Sequence, residues 1–351
     1  MAATLVQPAG QVKKTRFSGG FPVWRDATAH AKPSPMAKGW QDVGERGAAW
    51  GVWLTAYVYR LLGRTVCRVM LAPVVAYFYI AGKAQRDASK EYLERVWRAG
   101  YLPKRPGFAT GYRHFLSFAF ATLDKLAAWT GNIRLKDVEG VDDGLFHEAK
   151  VNGKGAVVIS AHLGNPEVIR AIATVNKRFR VNVLMHTLHA ERFNRMMQTF
   201  SPESPVRMVQ VTQIDVGTAM QLSDAISRGE WVVLMGDRIA VNSGEASSVP
   251  VDFLGAQAQL PMGPFVLAAA LRCPTYTLFC TRKGERFRVK FELLADPVKL
   301  PRANRAEAIR GYASAYAGRL EKAIATAPLQ WFNFYDYWPE TPAPKSAEVR
   351  A

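Results

Sequence analysis

Residues 155–174, GAVVISAHLGNPEVIRAIAT, set a histidine and a glutamate four intervening residues apart at a strand-to-helix corner, and that corner constrains what the rest of the chain can build. Residues 156–161 are a short apolar, β-branched run, the pattern of a strand buried in a parallel sheet. The run ends at His162. Asn165 is then a good N-cap, Pro166 sits where proline is favoured in a first helical turn, and Glu167 places a carboxylate near the positive end of the helix. Inside one helix, five steps of about 100° would leave His162 and Glu167 roughly 140° apart, so a turn is needed to bring them together. A carboxylate against one imidazole nitrogen fixes the tautomer and stabilises the imidazolium, which leaves the other nitrogen free to take a proton from a substrate hydroxyl. The expectation is a general base, His162, oriented by Glu167. The plainer reading of the same residues is a histidine satisfied by a backbone carbonyl and a glutamate that only improves a helix start.

Farther along, AISRGEWVVLMGDR (225–238), VPVDFLG (249–255), Pro261 and LAAALRCP (267–274) follow in that order. HLGNPE resembles the HxxxxD/E motif of the glycerolipid acyltransferase superfamily, specifically the HLGNWD/E form of the lipid A biosynthesis acyltransferases. The later segments are similar to that family's second conserved region, which runs from RGE through a short strand to FFG and a helix. The resemblance spans roughly Phe115 to Trp338. It implies a glycerolipid acyltransferase-like α/β domain with a mixed sheet flanked by helices, with His162 and Glu167 catalytic. It implies substrate or oxyanion contacts at Asp237, Arg238, Gly164, Asn165 and Asn194. It also implies an acyl carrier protein as donor, a membrane lipid or glycolipid as acceptor, and a place at the cytoplasmic face of the inner membrane. The only prosthetic group would be the acyl-phosphopantetheine that the donor carries.

A chain of 351 residues with 49% hydrophobic composition can bury a large core. Its formal charge of +17 calls for an anionic partner: nucleic acid, a membrane surface or an acidic protein. No zinc finger, RNP motif or P-loop occurs, which argues against nucleic acid. Cys67, Cys273 and Cys280 are scattered and form no disulfide framework, as in a reducing compartment. We divide the chain into a basic, poorly ordered arm (1–45), a membrane-associated helical region (46–130), the α/β domain (131–340) and a disordered tail (341–351). The arm lacks the apolar core and cleavage site of a secretory signal.

Residues 50–82 are rich in aromatic and aliphatic side chains. Their longest uncharged run, 69–82, falls short of the about 20 residues that span a bilayer, and Pro73 interrupts it. Arg60, Arg64 and Arg68 recur every fourth residue along one helical face, and Trp53 is among the rings favoured at headgroup level. These residues fit an interfacial or partly inserted helical hairpin; the alternative is a soluble helix with a solvated arginine stripe and its apolar face in the core. Through the core, β-rich runs alternate with helical ones: strands over 180–185, 206–211, 231–235, 275–281 and 287–294, helices over 216–228 and 306–325. That alternation argues for an α/β layered domain.

Asp237 and Arg238 end the 231–235 strand, where open α/β sheets place ligands, and a guanidinium suits a phosphate or a developing oxyanion. The related family more often shows Asp-Gln there. His186 and His189 invite a metal hypothesis, but the HxxH segment differs from an HExxH helix and the family needs no metal, so none is expected. Residues 330–338, QWFNFYDYW, stand where lipid A enzymes typically carry an Arg-Arg pair; they read either as an acceptor-stacking surface or as a buried aromatic anchor. With no GxSxG elbow, no covalent enzyme intermediate is expected. The competing class is a non-catalytic or hydrolytic membrane-associated protein on the same fold. His162→Ala is expected to abolish transfer, and Glu167→Gln to leave folding intact while cutting the rate by about 10² to 10⁴. Near-normal turnover of His162→Ala with a wild-type melting curve would remove the base assignment.

Overall fold

Short apolar runs between turn residues become the strands, and longer amphipathic runs become the helices that cover them. A computed structural model describes residues 48–129, 133, 135–140, 153–168, 180–185, 206–210, 216–239 and 247–338. Along the chain, α1 (Ala48–Ala81), α2 (Lys83–Arg98) and α3 (Phe108–Trp129) precede β1 (Val138–Glu139), β2 (Ala156–Ser160), β3 (Val181–Met185) and β4 (Val206–Gln210). Then come α4 (Val216–Ser227), β5 (Trp231–Met235), β6 (Ser248–Phe253), β7 (Ala256–Pro261), α5 (Gly263–Leu271), β8 (Thr275–Lys283), β9 (Arg286–Ala295) and α6 (Arg305–Thr326). The proposed arm and tail lie outside the described residues, and what is described belongs to one compact unit.

Seven strands form one sheet in the order β1-β9-β8-β2-β5-β3-β4, every pair parallel except β8 with β9. The fold is therefore mixed α/β with a parallel-rich sheet flanked by helices. β2 sits at the centre and is buried at every position, as expected of a parallel strand covered on both faces. Its residues alternate between two cores: Val157 and Ile159 join Phe265, Tyr316 and Leu320, whereas Ala156 and Val158 join Trp231, Tyr276 and Phe291. In the second core the Trp231 and Phe291 rings stack at 5.4 Å. β6 and β7 form a separate hairpin whose two-residue turn, Leu254-Gly255, has positive φ at both positions (50° and 74°), the geometry that matches strand twist. Helix α6 buries Ile309, Ala313, Tyr316, Leu320 and Ile324 along one stripe. Each fully buried Leu or Ile of that stripe stabilises the fold by roughly 1.5–3 kcal/mol. The Tyr316 hydroxyl donates to the Ser160 carbonyl at 2.8 Å, tying α6 to the end of β2.

Two features of α1 differ from the sequence-based expectation. The helix continues through Pro73 to Ala81, and residues 63–81 form the one described helix long and apolar enough to cross a membrane. Its arginines also face the protein. Arg64 and Arg282 both pair with the buried carboxylate of Asp124 in α3, Arg64 reaches Glu285 at 2.9 Å, and Arg68 lies 5.0 Å from the Phe120 ring. Burial raises the Asp124 pKa although the Arg64 and Arg68 cations oppose it, and unpairing such a carboxylate would strand its charge. Arg64 and Arg68 thus engage groups of the protein itself, Arg68 also reaching Glu285 at 3.4 Å. Arg60 and Trp53 lie on α1, but their side chains fall outside the described residues. The opposite face of α1 exposes Val66, Val69, Met70, Val74, Tyr77 and Ile80, while Cys67, Val75 and Tyr79 are buried.

α3 carries a wholly buried histidine, His114, whose Nδ1 is 2.8 Å from Ser89 Oγ and whose Nε2 is 2.9 Å from the Trp331 carbonyl oxygen. A carbonyl only accepts, so Nε2 bears the hydrogen and Nδ1 accepts from Ser89. Burial outweighs the carbonyl contact and pushes the pKa down from 6.5 to about 4. A folded-state pKa below the unfolded value contributes stability that is complete above about pH 6.5 and is lost as pH falls toward 4. Stability is expected to drop over that window by up to about 3 kcal/mol from this residue alone. Denaturant titrations at several pH values check this, with a flatter profile expected for His114→Gln.

Candidate active site

The sheet register assembles the site. β2 and β5 pair in parallel with Ser160 opposite Met235, so two residues further on His162 and Asp237 leave the sheet side by side. Carboxyl ends of parallel strands are where such sheets place ligands. His162 Nδ1 is 2.9 Å from Asp237 Oδ1, and the His162 backbone N–H donates to Asp237 Oδ2 at 2.9 Å. The Trp331 indole N–H donates to the same Oδ2 at 3.0 Å, and the Tyr337 hydroxyl donates to the Asp237 carbonyl at 3.0 Å. Asp237 is completely buried. Burial alone would raise its pKa, but the facing His162, followed by the Arg238 cation, more than offsets this and holds it at about 2. The His162 pKa is lowered, chiefly by burial, with Asp237 opposing and Arg238 and Lys125 assisting. An ionised carboxylate only accepts, so Nδ1 carries the hydrogen and Nε2 keeps its lone pair. The ring is 37% exposed, its Nδ1 edge held against Asp237.

The turn after His162 is clamped from two sides. Leu163 bridges Trp331 in antiparallel fashion and Gly164 bridges Cys280 in parallel. Gly164 N–H donates to the Gln330 carbonyl at 2.7 Å, Asn165 N–H to the Cys280 carbonyl at 2.9 Å, and Phe332 N–H to the His162 carbonyl at 3.0 Å. Asn165 Oδ1 accepts from Glu167 N–H at 3.1 Å, the N-cap contact its position suggested. The backbone N–H groups of Gly164 and Asn165 are therefore spent on the fold. The Asn165 side chain is different: Nδ2 is buried and has no hydrogen-bond partner. Arg238 donates through Nη2 to the Phe332 carbonyl and lies 5.4 Å from the Tyr335 ring, while its buried Nε likewise has no partner. Two buried donors of the site thus stand without acceptors.

Glu167 lies half-buried in the turn, and the carboxylate seated on the His162 ring is that of Asp237. Asn194, His186 and His189 lie outside the described residues. Among the described residues, no group of three or more His, Cys, Asp and Glu is placed to hold a metal. Burial raises the pKa of Cys280 beside the turn and that of Cys273 to about 11, so neither thiol is a ready nucleophile. In the C-terminal run, Trp331, Phe332, Asn333, Tyr337 and Trp338 are buried, with Trp331 packed edge-on against Tyr92, Phe253 and Tyr337. These rings form a core rather than a stacking surface, because the segment closes over the catalytic turn. The roles of Trp331 and Tyr337 at Asp237 were not read from the sequence; the signal for them exists only once the strand register is known.

A family model of the bacterial lipid A biosynthesis acyltransferases matches residues 45–339. Among curated proteins, none matches the chain.

Gly164 has φ +63°, and an added Cβ would fall 2.1 Å from the Cys280 carbonyl oxygen. Gly164→Ala is therefore expected to cost at least about 2 kcal/mol through backbone strain and displacement of the turn. Chemical denaturation checks this, and wild-type stability would mean that the turn is not held as described.

Proposed function

Because the chain belongs to the bacterial lipid A biosynthesis acyltransferase family, we propose that it moves a fatty acyl group from an acyl carrier protein thioester to a hydroxyl of a membrane lipid or glycolipid. The observation that carries this reading is the His162–Asp237 pair, a neutral imidazole with its Nδ1 hydrogen on a buried carboxylate and part of its ring open to solvent. Nε2 takes the acceptor's hydroxyl proton as the oxygen attacks the thioester carbonyl, and Asp237 stabilises the imidazolium that forms. The unpartnered donors of Arg238 and Asn165 suit the oxyanion of the tetrahedral intermediate. Collapse breaks the carbon–sulfur bond, and the departing thiolate takes the proton back from Nε2. The products are an acylated lipid and a free carrier thiol, with no covalent enzyme intermediate.

The apolar outer face of α1 supports attachment to the membrane, and the net charge of +17 suits both anionic lipid and an acidic carrier. We place the enzyme at the cytoplasmic face of the inner membrane, where carrier-borne acyl groups are available. The acceptor proposed is a lipid without the bis-phosphorylated disaccharide of lipid A, since the strap that closes over the turn after His162, residues 330–338, brings no basic side chain beside it.

The test uses the purified full chain with a long-chain acyl carrier protein and vesicles of total membrane lipid, beside a lipid A precursor. Acyl transfer to a vesicle lipid is expected, with Asp237→Asn lowering kcat by about 10² to 10⁴. Release of free fatty acid without lipid product would favour the hydrolytic reading. Efficient, His162-dependent acylation of the lipid A precursor would overturn the acceptor proposal.

A further inference from the structure

Residues 330–332 lie along the catalytic turn and are held there from both sides. Toward the turn, the Gln330 carbonyl, Trp331 and the Phe332 N–H engage Gly164, Leu163 and His162. Away from it, the Gln330 side chain exchanges two 2.7 Å hydrogen bonds with the backbone of Arg282, the Tyr92 hydroxyl donates to the Pro328 carbonyl at 2.8 Å, and His114 donates to the Trp331 carbonyl at 2.9 Å. The Trp331 indole then points its only donor at Asp237 Oδ2. A hydrogen-bonded series thus runs from Ser89 in α2 through His114 in α3 to Trp331, Asp237 and His162, with each step between 2.8 and 3.0 Å.

We infer that Trp331 is a positioning residue for acyl transfer, its indole N–H fixing the Asp237 carboxylate that orients His162, and that His114 holds Trp331 in place. This rests on the reading of His162 and Asp237 as the catalytic pair. The physical reason lies in how few donors serve the buried carboxylate. Oδ1 is taken by the imidazole, and Oδ2 is held by the His162 backbone N–H and by the indole. Without the indole, Oδ2 keeps only the His162 backbone N–H, and the tilt of the carboxylate against the imidazole is set by one donor fewer. The Tyr337 hydroxyl anchors the Asp237 main chain but leaves the carboxylate's rotation unopposed.

Incorporation of 3-benzothienylalanine at position 331 replaces the indole N–H by sulfur while keeping the ring's shape, so packing against Tyr92, Phe253 and Tyr337 is preserved. In the full-length protein, kcat is expected to fall by about 10- to 100-fold, the value of one hydrogen bond to a charged group, with KM for carrier and lipid unchanged. The pH profile separates positioning from packing. A carboxylate with fewer donors is more basic and holds the imidazolium more tightly, so the acidic limb of kcat/KM should move to higher pH; lost packing alone would lower the melting temperature without moving the limb. His114→Leu is expected to lower kcat with the same displacement, and His114→Gln, whose amide nitrogen reaches the place of Nε2, to restore it. Retained activity in Asp237→Asn would bring down the active-site reading itself. An inactive Asp237→Asn, combined with wild-type kcat and an unmoved limb in the benzothienylalanine protein, would overturn this inference alone. Wild-type behaviour of His114→Leu would remove His114 from it.

Discussion

A carboxylate with no exposure to solvent stands at the centre of this fold, and the elements around it are arranged so that its charge is tolerated. Removing an ion from water costs several kcal/mol even after relaxation. Asp237 offsets that cost through His162 Nδ1, His162 N–H and the Trp331 indole, and hydrogen bonds to a charged group contribute roughly 1.5–3 kcal/mol each. Burial alone would raise the Asp237 pKa, and the facing His162 together with the Arg238 cation holds it at about 2 instead. The charge in turn dictates the imidazole tautomer, which leaves the Nε2 lone pair uncommitted.

The donors come from two separated parts of the chain, with α2 and α3 bracing the second, and each part is rigid for its own reason. β2 and β5 are locked in register at the middle of a parallel sheet buried on both faces. The C-terminal strap is locked by aromatic packing and by main-chain contacts with the catalytic turn. α2 and α3 are locked by buried polar contacts: the Ser89–His114 pair and, at the far end of α3, Asp124 between Arg64 and Arg282. The last of these joins α1 to the β8–β9 hairpin. The helix that offers an apolar outer face is consequently part of the same body as the candidate site, and its apolar stripe and half-buried arginines lie on opposite sides.

Six of the seven strands of the main sheet, the long helix near the C-terminus and the turn at His162 were legible in the sequence, because apolar period and turn chemistry are local properties; the two-residue β1 and the β6–β7 hairpin were not. Trp231–Met235 reads as a strand by composition, and the N-cap role of Asn165 follows from its place before Pro166. For the arginine stripe, a four-residue repeat defines a helical face without saying whether carboxylates or water lie opposite it. Likewise, QWFNFYDYW is conspicuous as an aromatic run, yet nothing in the run reveals that two of its polar atoms end at Asp237.

By itself, the sequence determined the secondary structure around His162 and the residue types available to it, since both depend on neighbours within a few positions. Tertiary structure decided which carboxylate meets the imidazole. His162 and Asp237 are 75 residues apart, and only the parallel pairing of Ser160 with Met235 sets them abreast. The same holds for Trp331 and His114, whose contacts arise where a helix, a strap and two strand ends converge. Their proximity reflects strand order and burial, which no local pattern encodes.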